Sequence, residues 1–242
     1  MSTRRPPYRN SAGKTLEDYP RPSVAVDTAT LTVHDGRLCV LLVRDESGDE
    51  RLPGTFLHPD ETLRDAALRA LREKAGVQRG HPPTSSRRTP GSLTPGPRQL
   101  RVFDDPQRDD RGWVLSVAHL DAVRTDQIFL TDRTRLVPVD DLPPLAYDHA
   151  TIVADAVAQL RDEYRRDPDP WHLLPPSNDG MTIRDLRLLH EMALGERLIA
   201  DTFRRAMLPG LEPTGEIRRG ARGKPAELYR HARMANTTAG GR

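Results

Sequence analysis

Three sets of charged side chains in this sequence have types and spacing suited to a phosphate-bearing partner. Arg69 and Glu73 lie four positions apart, one helical turn, where they either pair in support of a helix or face a cleft together. Arg44 and Arg111 suit an anionic phosphate or a solvated surface equally well. Arg204 and Arg205, followed by Arg218, Arg219, Arg222 and Lys224, suit nucleic acid. An arginine there bonds a guanine edge or a backbone phosphate, and spacing alone leaves both open. No Gly-x-Ser-x-Gly or P-loop pattern occurs, and the eight histidines include no His-x-x-x-His pair. No residue is therefore assigned to catalysis or to a metal, and no cofactor is expected.

Arg69 and Glu73 need a helix to carry them. Residues 52–77, LPGTFLHPDETLRDAALRALREKAGV, read as a Gly-Pro loop leading into one. Leu52, Pro53 and Gly54 break the preceding strand, and Asp60 or Thr62 caps the exposed N–H groups. Residues 63–75 hold neither Gly nor Pro, and Gly76 closes the helix. At about 100° per residue, Ala67, Leu68, Leu71 and Ala75 share one face, while Ala66, Arg69, Ala70 and Glu73 share another. The first face is expected to pack and the second to look into a cleft.

This stretch resembles the Nudix box: a glycine and a glutamate, then, after a spacer, Arg-Glu-apolar-x-Glu-Glu-x-Gly-apolar. In register, Glu61, Arg69, Leu71, Glu73, Gly76 and Val77 match, whereas Thr55, Ala70 and Lys74 do not. The resemblance implies a diphosphate pocket in which helix carboxylates hold divalent cations, because Mg²⁺ takes oxygen ligands and neutralises charge on the phosphate. Two of the three helix carboxylates are missing here, one replaced by a methyl group and one by an ammonium that repels a cation. The expectation is a Nudix fold that has lost its metal and kept its pocket.

At 242 residues the chain is long for one domain and comfortable for two. Cys39 is the single cysteine, which excludes a disulfide within the chain and a Cys-based zinc site. The stretch MSTRRPPYRN lacks an apolar segment, and no apolar run approaches the length needed to cross a bilayer. A cytoplasmic protein with no membrane association is expected. The net charge of +2 argues for no particular partner.

Residues 1–22 and 234–242 are expected as disordered tails. Residues 24–33 and 37–44 read as a hairpin turning at Asp35-Gly36, its second strand buried. Residues 79–98, rich in Pro, Ser and Gly, read as a loop. Residues 99–103 and 113–120 read as strands joined by the acidic loop DDPQRDDRG. Over 147–164, Ile152, Val153, Ala156, Val157 and Leu160 fall at helical spacing and close a first domain spanning 23–166. Residues 167–180, DPDPWHLLPPSNDG, read as a linker stiffened by proline. Across 181–233, Thr182 caps a helix striped with Ile183, Leu186, Leu189 and Ala193 that ends at Gly195. A second helix over about 198–208 is expected to bury Ile199, Phe203, Ala206 and Met207. Gly215, Gly220 and Gly223 allow a basic hairpin tip, so the arrangement suits a winged helix-turn-helix.

Residues 22–231 as a whole resemble the Nudix-related transcriptional regulators of the NrtR family. In VFDDPQRDDRGWVLSVAHL, Phe103, Asp105, Pro106, Arg108, Asp109, Arg111, Gly112, Ser116, Val117 and Ala118 match the family signature, and Asp104, Asp110 and His119 depart from it. Phe203, Arg204 and Arg205 match its recognition helix. Its wing motif runs from Gly223 to Arg230, with Lys224 in place of arginine. The resemblance implies an α+β protein, an N-terminal Nudix-like α/β/α sandwich followed by a C-terminal winged helix-turn-helix. It also implies a repressor that senses ADP-ribose or a related NAD metabolite and binds double-stranded DNA as a homodimer on a palindromic operator. The effector would meet Arg44, Arg69, Glu73 and Arg111; the DNA would meet Thr202, Arg204, Arg205, Arg218, Arg219, Arg222 and Lys224. The alternative is an active hydrolase of nucleoside-diphosphate-linked substrates that uses carboxylates such as Glu61, Glu73 or Asp109.

Overall fold

Strand β1 (Ser23–His34) has buried side chains on both faces, so it must lie between two layers. Ala29 and Leu31 join the main core on one side, while Val26 packs against Ala66 and Ala67 on the other. The computed structural model describes residues 8–78, 95–177, 179–219 and 225–232. Around β1 the sheet runs β3 (Glu50–Arg51), β2 (Arg37–Arg44), β1, β6 (Val114–Ala122), β5 (Arg98–Phe103), with β6 parallel to β1. β4 (Gly54–Phe56) pairs with the start of β1, and β7 (Thr134–Pro138) with β2. The edge of β1 that pairs with β4 at Ala25 to Asp27 passes to β2 by Leu31. The change of partner splits the sheet, and the candidate site lies at that split.

Helix α1 (Leu63–Ala75) covers one face. Thr62, not Asp60, is its cap: the Thr62 hydroxyl accepts the Asp65 N–H, and Gly76 ends the helix at φ 63°. Ala66 and Ala70, expected to face a cleft, are buried with Ala67, Leu71 and Ala75. Their methyl groups let the helix sit close to the sheet, leaving the polar cleft to longer side chains. Helix α2 (His149–Arg166) covers the opposite face with Ile152, Val153, Ala156, Val157 and Leu160. It begins two residues later than expected because Tyr147 takes φ 58°, outside the helical region. No helix among the described residues is long and apolar enough to cross a membrane.

Residues 167–180 do not form a free tether. Trp171 is fully buried and Leu173 nearly so, both in the main core. Asp169, at φ 43° and 1% exposed, accepts hydrogen bonds from Leu173 N (2.8 Å), Leu174 N (3.0 Å) and the Tyr164 hydroxyl (2.9 Å). The prolines flank a packed Trp and Leu rather than spacing two bodies.

Beyond it come α3 (Ile183–Leu194), α4 (Ala200–Met207) and a hairpin of β8 (Leu211–Arg218) and β9 (Ala226–His231). Leu186, Phe203, Met207, Leu211 and Tyr229 form a small core there, while Leu189, Ala193 and Leu194 of α3 belong to the same cluster as Ile152, Tyr164 and Trp171 of the first half. Ile199 and Ala206 are exposed, contrary to expectation. α4 starts only at Ala200, so Ile199 precedes the helix at 75% exposure, and Phe203 and Met207 alone fill the narrow buried stripe. Residues 8–22 contain a turn at 10–13, a single 3-10 turn of helix at Leu16–Asp18, and no buried side chain. The expected loop through residue 94, Arg222, Lys224 and the terminal stretches 1–7 and 233–242 lie outside the described residues.

Candidate functional site

At the split in the sheet lies a cavity of about 240 Å³. β1 supplies Ala25 and Asp27, and the 51–56 segment supplies Arg51 through Phe56. α1 supplies Lys74, and the loops and α2 add Arg111, Tyr147 and His149. Lys74 Nζ donates to the Gly54 carbonyl at 2.7 Å. Desolvation of its ammonium, followed by the nearby charge of Arg69, lowers its pKa. The Arg111 guanidinium is bound through two nitrogens to Asp109 (2.8 and 2.7 Å) and lies 5.3 Å from the Phe56 ring and 5.0 Å from the Tyr147 ring. The hydrogen-bonded pair raises the Arg111 pKa and lowers that of Asp109. Arg108, almost fully buried, grips Asp148 at the start of α2 (2.9 and 2.6 Å), which fixes the 104–112 loop against Tyr147 and His149.

Among the four residues expected to meet the effector, Arg111 alone lines the cavity. Arg69 instead staples the loop before α1, bonding both carboxylate oxygens of Glu61 (2.8 and 2.9 Å), the Thr55 hydroxyl (3.0 Å) and the Phe56 carbonyl (3.0 Å). That pairing holds the Glu61 carboxyl down at about 2. Glu73 is exposed and pairs with Arg72 at 3.2 Å rather than with Arg69. Arg44 pairs with Glu50 at 3.2 Å, and Arg135 binds the same carboxylate with two bonds of 2.5 Å. Glu50 is thereby held below the ordinary carboxylate range, by Arg135 first and Arg44 second.

The box positions do not fit a divalent cation. Ala70 presents a buried methyl group, and Lys74 presents an ammonium. Among the described residues no group of three or more His, Cys, Asp or Glu side chains could hold a metal ion. Asp27, Arg51, Phe56, Tyr147 and His149 gave no advance signal; tertiary closure of separate segments brings them together. Lys74 was visible in the sequence only as a missing carboxylate.

On the second half, Thr202, Arg204 and Arg205 are exposed on α4. Arg204 reaches the Tyr229 hydroxyl at 3.5 Å, and Arg205 turns back to the Asp201 carbonyl at 3.3 Å. Arg219 is exposed. Arg218 is engaged by Asp185 (2.8 Å) and the Gly180 carbonyl (3.3 Å).

Comparison with known families places a NUDIX domain over residues 21–156 and an NrtR DNA-binding winged helix domain over residues 170–231. The ADPR responsive transcriptional repressor NtrR of Acinetobacter baylyi is 29% identical over 229 residues, covering 89% of this chain and 84% of that protein. The ADP-ribose pyrophosphatase of Methanocaldococcus jannaschii is 27% identical over 143 residues, covering 57% of this chain and 74% of that protein. Shewanella oneidensis NrtR, solved with a 27mer DNA, superposes with a TM-score of 0.68 at 29% identity, over 86% of this chain and 93% of that one. A MutT/nudix family protein from Enterococcus faecalis, at 23% identity and a TM-score of 0.67 over 89% of each chain, shares the fold. The chain therefore belongs to the Nudix family, in the NrtR arrangement that joins a Nudix domain to a DNA-binding winged helix.

Proposed function

We propose that this protein is a ligand-responsive transcriptional repressor whose Nudix cavity binds ADP-ribose or a closely related nucleoside-diphosphate metabolite without hydrolysing it. The observation that carries this reading is Lys74, an ammonium at a box position where hydrolysis calls for a metal-binding carboxylate, in a cavity that also presents Arg51 and Arg111. Lys74 can meet a diphosphate directly, and Arg51 and Arg111 by sharing their guanidinium groups with Asp45 and Asp109, where a hydrolase would interpose Mg²⁺. The hydrolase alternative loses support because Glu61 and Asp109 are each committed to an arginine, and Glu73 is exposed beside Arg72.

The winged helix supplies the output. Thr202, Arg204, Arg205 and Arg219 are exposed where DNA could approach, and Arg218 would meet it by leaving Asp185. One such module has few base-reading side chains, so a homodimer on a palindromic operator in the cytoplasm is the arrangement that gives specificity. Calorimetry with ADP-ribose in the absence of metal, Mg²⁺-dependent turnover, and gel retardation on an operator obtained by selection test the whole. Metal-free binding, background turnover and ligand-dependent retardation are expected. Robust turnover abolished by Glu73→Gln would falsify the repressor-only reading.

A further inference from the structure

Arg51, Lys74 and Arg111 give the cavity cationic walls, yet Asp27 places a carboxylate among them. Asp27 is 7% exposed, and its side chain lines the cavity. It sits opposite Gly54 in the β1–β4 pairing, so close that a Cβ on Gly54 would stand 2.0 Å from Asp27 Oδ1. Glycine at 54 therefore leaves room for this carboxylate. Oδ2 accepts a hydrogen bond from the Ser116 hydroxyl at 2.6 Å and has Arg108 Nη2 at 3.6 Å. On the other side, His149 accepts the Leu52 N–H at Nδ1, so its Nε2 carries the hydrogen and makes a long contact of 3.6 Å with Oδ1. Burial opposes the charge, but His149, Ser116 and Arg108 outweigh it and hold the carboxyl ionised, below the ordinary range.

An ionised, buried carboxylate offers about four acceptor sites, and among the described residues Asp27 has one short hydrogen bond, from Ser116, and the long contact from His149. A phosphate placed against it is repelled, so the diphosphate belongs at Arg51, Lys74 and Arg111. A neutral group with two adjacent donors meets the opposite situation, since each hydroxyl gains a charge-assisted bond. We propose that Asp27 accepts the hydroxyls of a sugar on the bound metabolite, so that the cavity selects a diphosphate-linked sugar over a bare nucleotide. This rests on the reading of the cavity given under the proposed function, and it assigns the selectivity to one residue.

The test is metal-free calorimetry of ADP-ribose and of ADP with wild type, Asp27→Asn and Ser116→Ala. In Asp27→Asn the Ser116 hydroxyl holds the amide oxygen, which leaves an NH₂ donor facing the cavity. Wild type is expected to favour ADP-ribose over ADP by about tenfold or more, and Asp27→Asn to lose that preference while its affinity for ADP stays within about threefold. Ser116→Ala, which keeps the carboxylate, is expected to retain the preference. Unchanged ADP-ribose affinity in Asp27→Asn overturns the proposal. So does an equal loss for both ligands, because that pattern belongs to a residue that merely holds the fold. A wild type that binds ADP and ADP-ribose alike overturns the sugar assignment and leaves the diphosphate cavity standing. A wild type that binds neither removes the proposed function and this inference with it.

Discussion

Replacing Asp169 by Asn probes how the two halves are held. The carboxylate takes Leu173 N and the Tyr164 hydroxyl on Oδ1 and Leu174 N on Oδ2. Asn matches its size and tolerates the positive φ of 43° at this position. With the amide oxygen at Oδ1, two bonds survive without charge assistance, and an NH₂ faces the Leu174 N–H. Hydrogen bonds to charged groups contribute roughly 1.5–3 kcal/mol each, so one lost and two weakened cost about 2–4 kcal/mol. For a urea slope of about 2–3 kcal/mol per molar, the unfolding midpoint falls by about 1 M. Phe203 of α4 packs on His190 with ring centroids 4.9 Å apart, and His190 accepts the Asp169 N–H at 3.3 Å. Loosening at Asp169 therefore reaches α4, the helix proposed to meet DNA. Urea melts followed by operator titration should show both the lower midpoint and weaker DNA binding, with metal-free ADP-ribose affinity retained. A midpoint within about 0.2 M of wild type refutes the argument.

The double variant Ala70→Glu/Lys74→Glu should gain Mn²⁺ binding measurable by calorimetry, whereas wild type shows none; equal metal binding in both would mean the metal does not use these positions. His190 is fully buried and its pKa is lowered to about 4 from 6.5, by burial first. The unfolded chain therefore takes the proton more readily, and the stability from neutral His190 is complete above about pH 6.5 and lost as pH falls toward 4. That shift corresponds to about 3 kcal/mol. Urea midpoints of wild type and His190→Gln across pH 4 to 6.5 check it, and parallel curves would remove His190 from the account. Arg205→Ala should weaken operator binding and lower the salt slope by about 1 if it meets a phosphate. Arg218→Ala should change binding less, because Asp185 already engages that guanidinium; the reverse order in a retardation assay would reassign the reading surface to the wing.

The box helix was legible because its ends are chemical: a cap at Thr62, one of two candidates, a Gly76 stop, and no Gly or Pro between them. β3, β4 and β7 were not, since strands of two, three and five residues are too short to show alternation. Composition misled at 167–180, where prolines suggested a stiff linker while Trp171 and Leu173 carry the core across it. In the site, Arg111 could be found through its motif. Arg69 and Glu73 had the right types, but a nearer partner claims each. Asp27 could not be found, because a carboxylate in a strand is informative only once Gly54, Ser116 and His149 have closed around it.

Helix α2 connects these features physically. Its first turn carries His149 at the cavity, and its cap, Asp148, is clamped by Arg108; its last turns carry Glu163 and Tyr164, which bind the Trp171 ring nitrogen at 2.8 Å and the Asp169 carboxylate at 2.9 Å. A ligand changes operator affinity only as far as it prefers one of two arrangements, and the preference acts equally in reverse, so DNA must change ligand affinity by the same factor. α2 is held at both ends and α3 shares its core, so among the described residues the two halves are joined through packed side chains. The route through one protomer runs across the packing of α2 on α3. Tyr164 lies beside His190 there, with ring centroids 4.9 Å apart, and His190 packs in turn on Phe203 of α4 at the same distance.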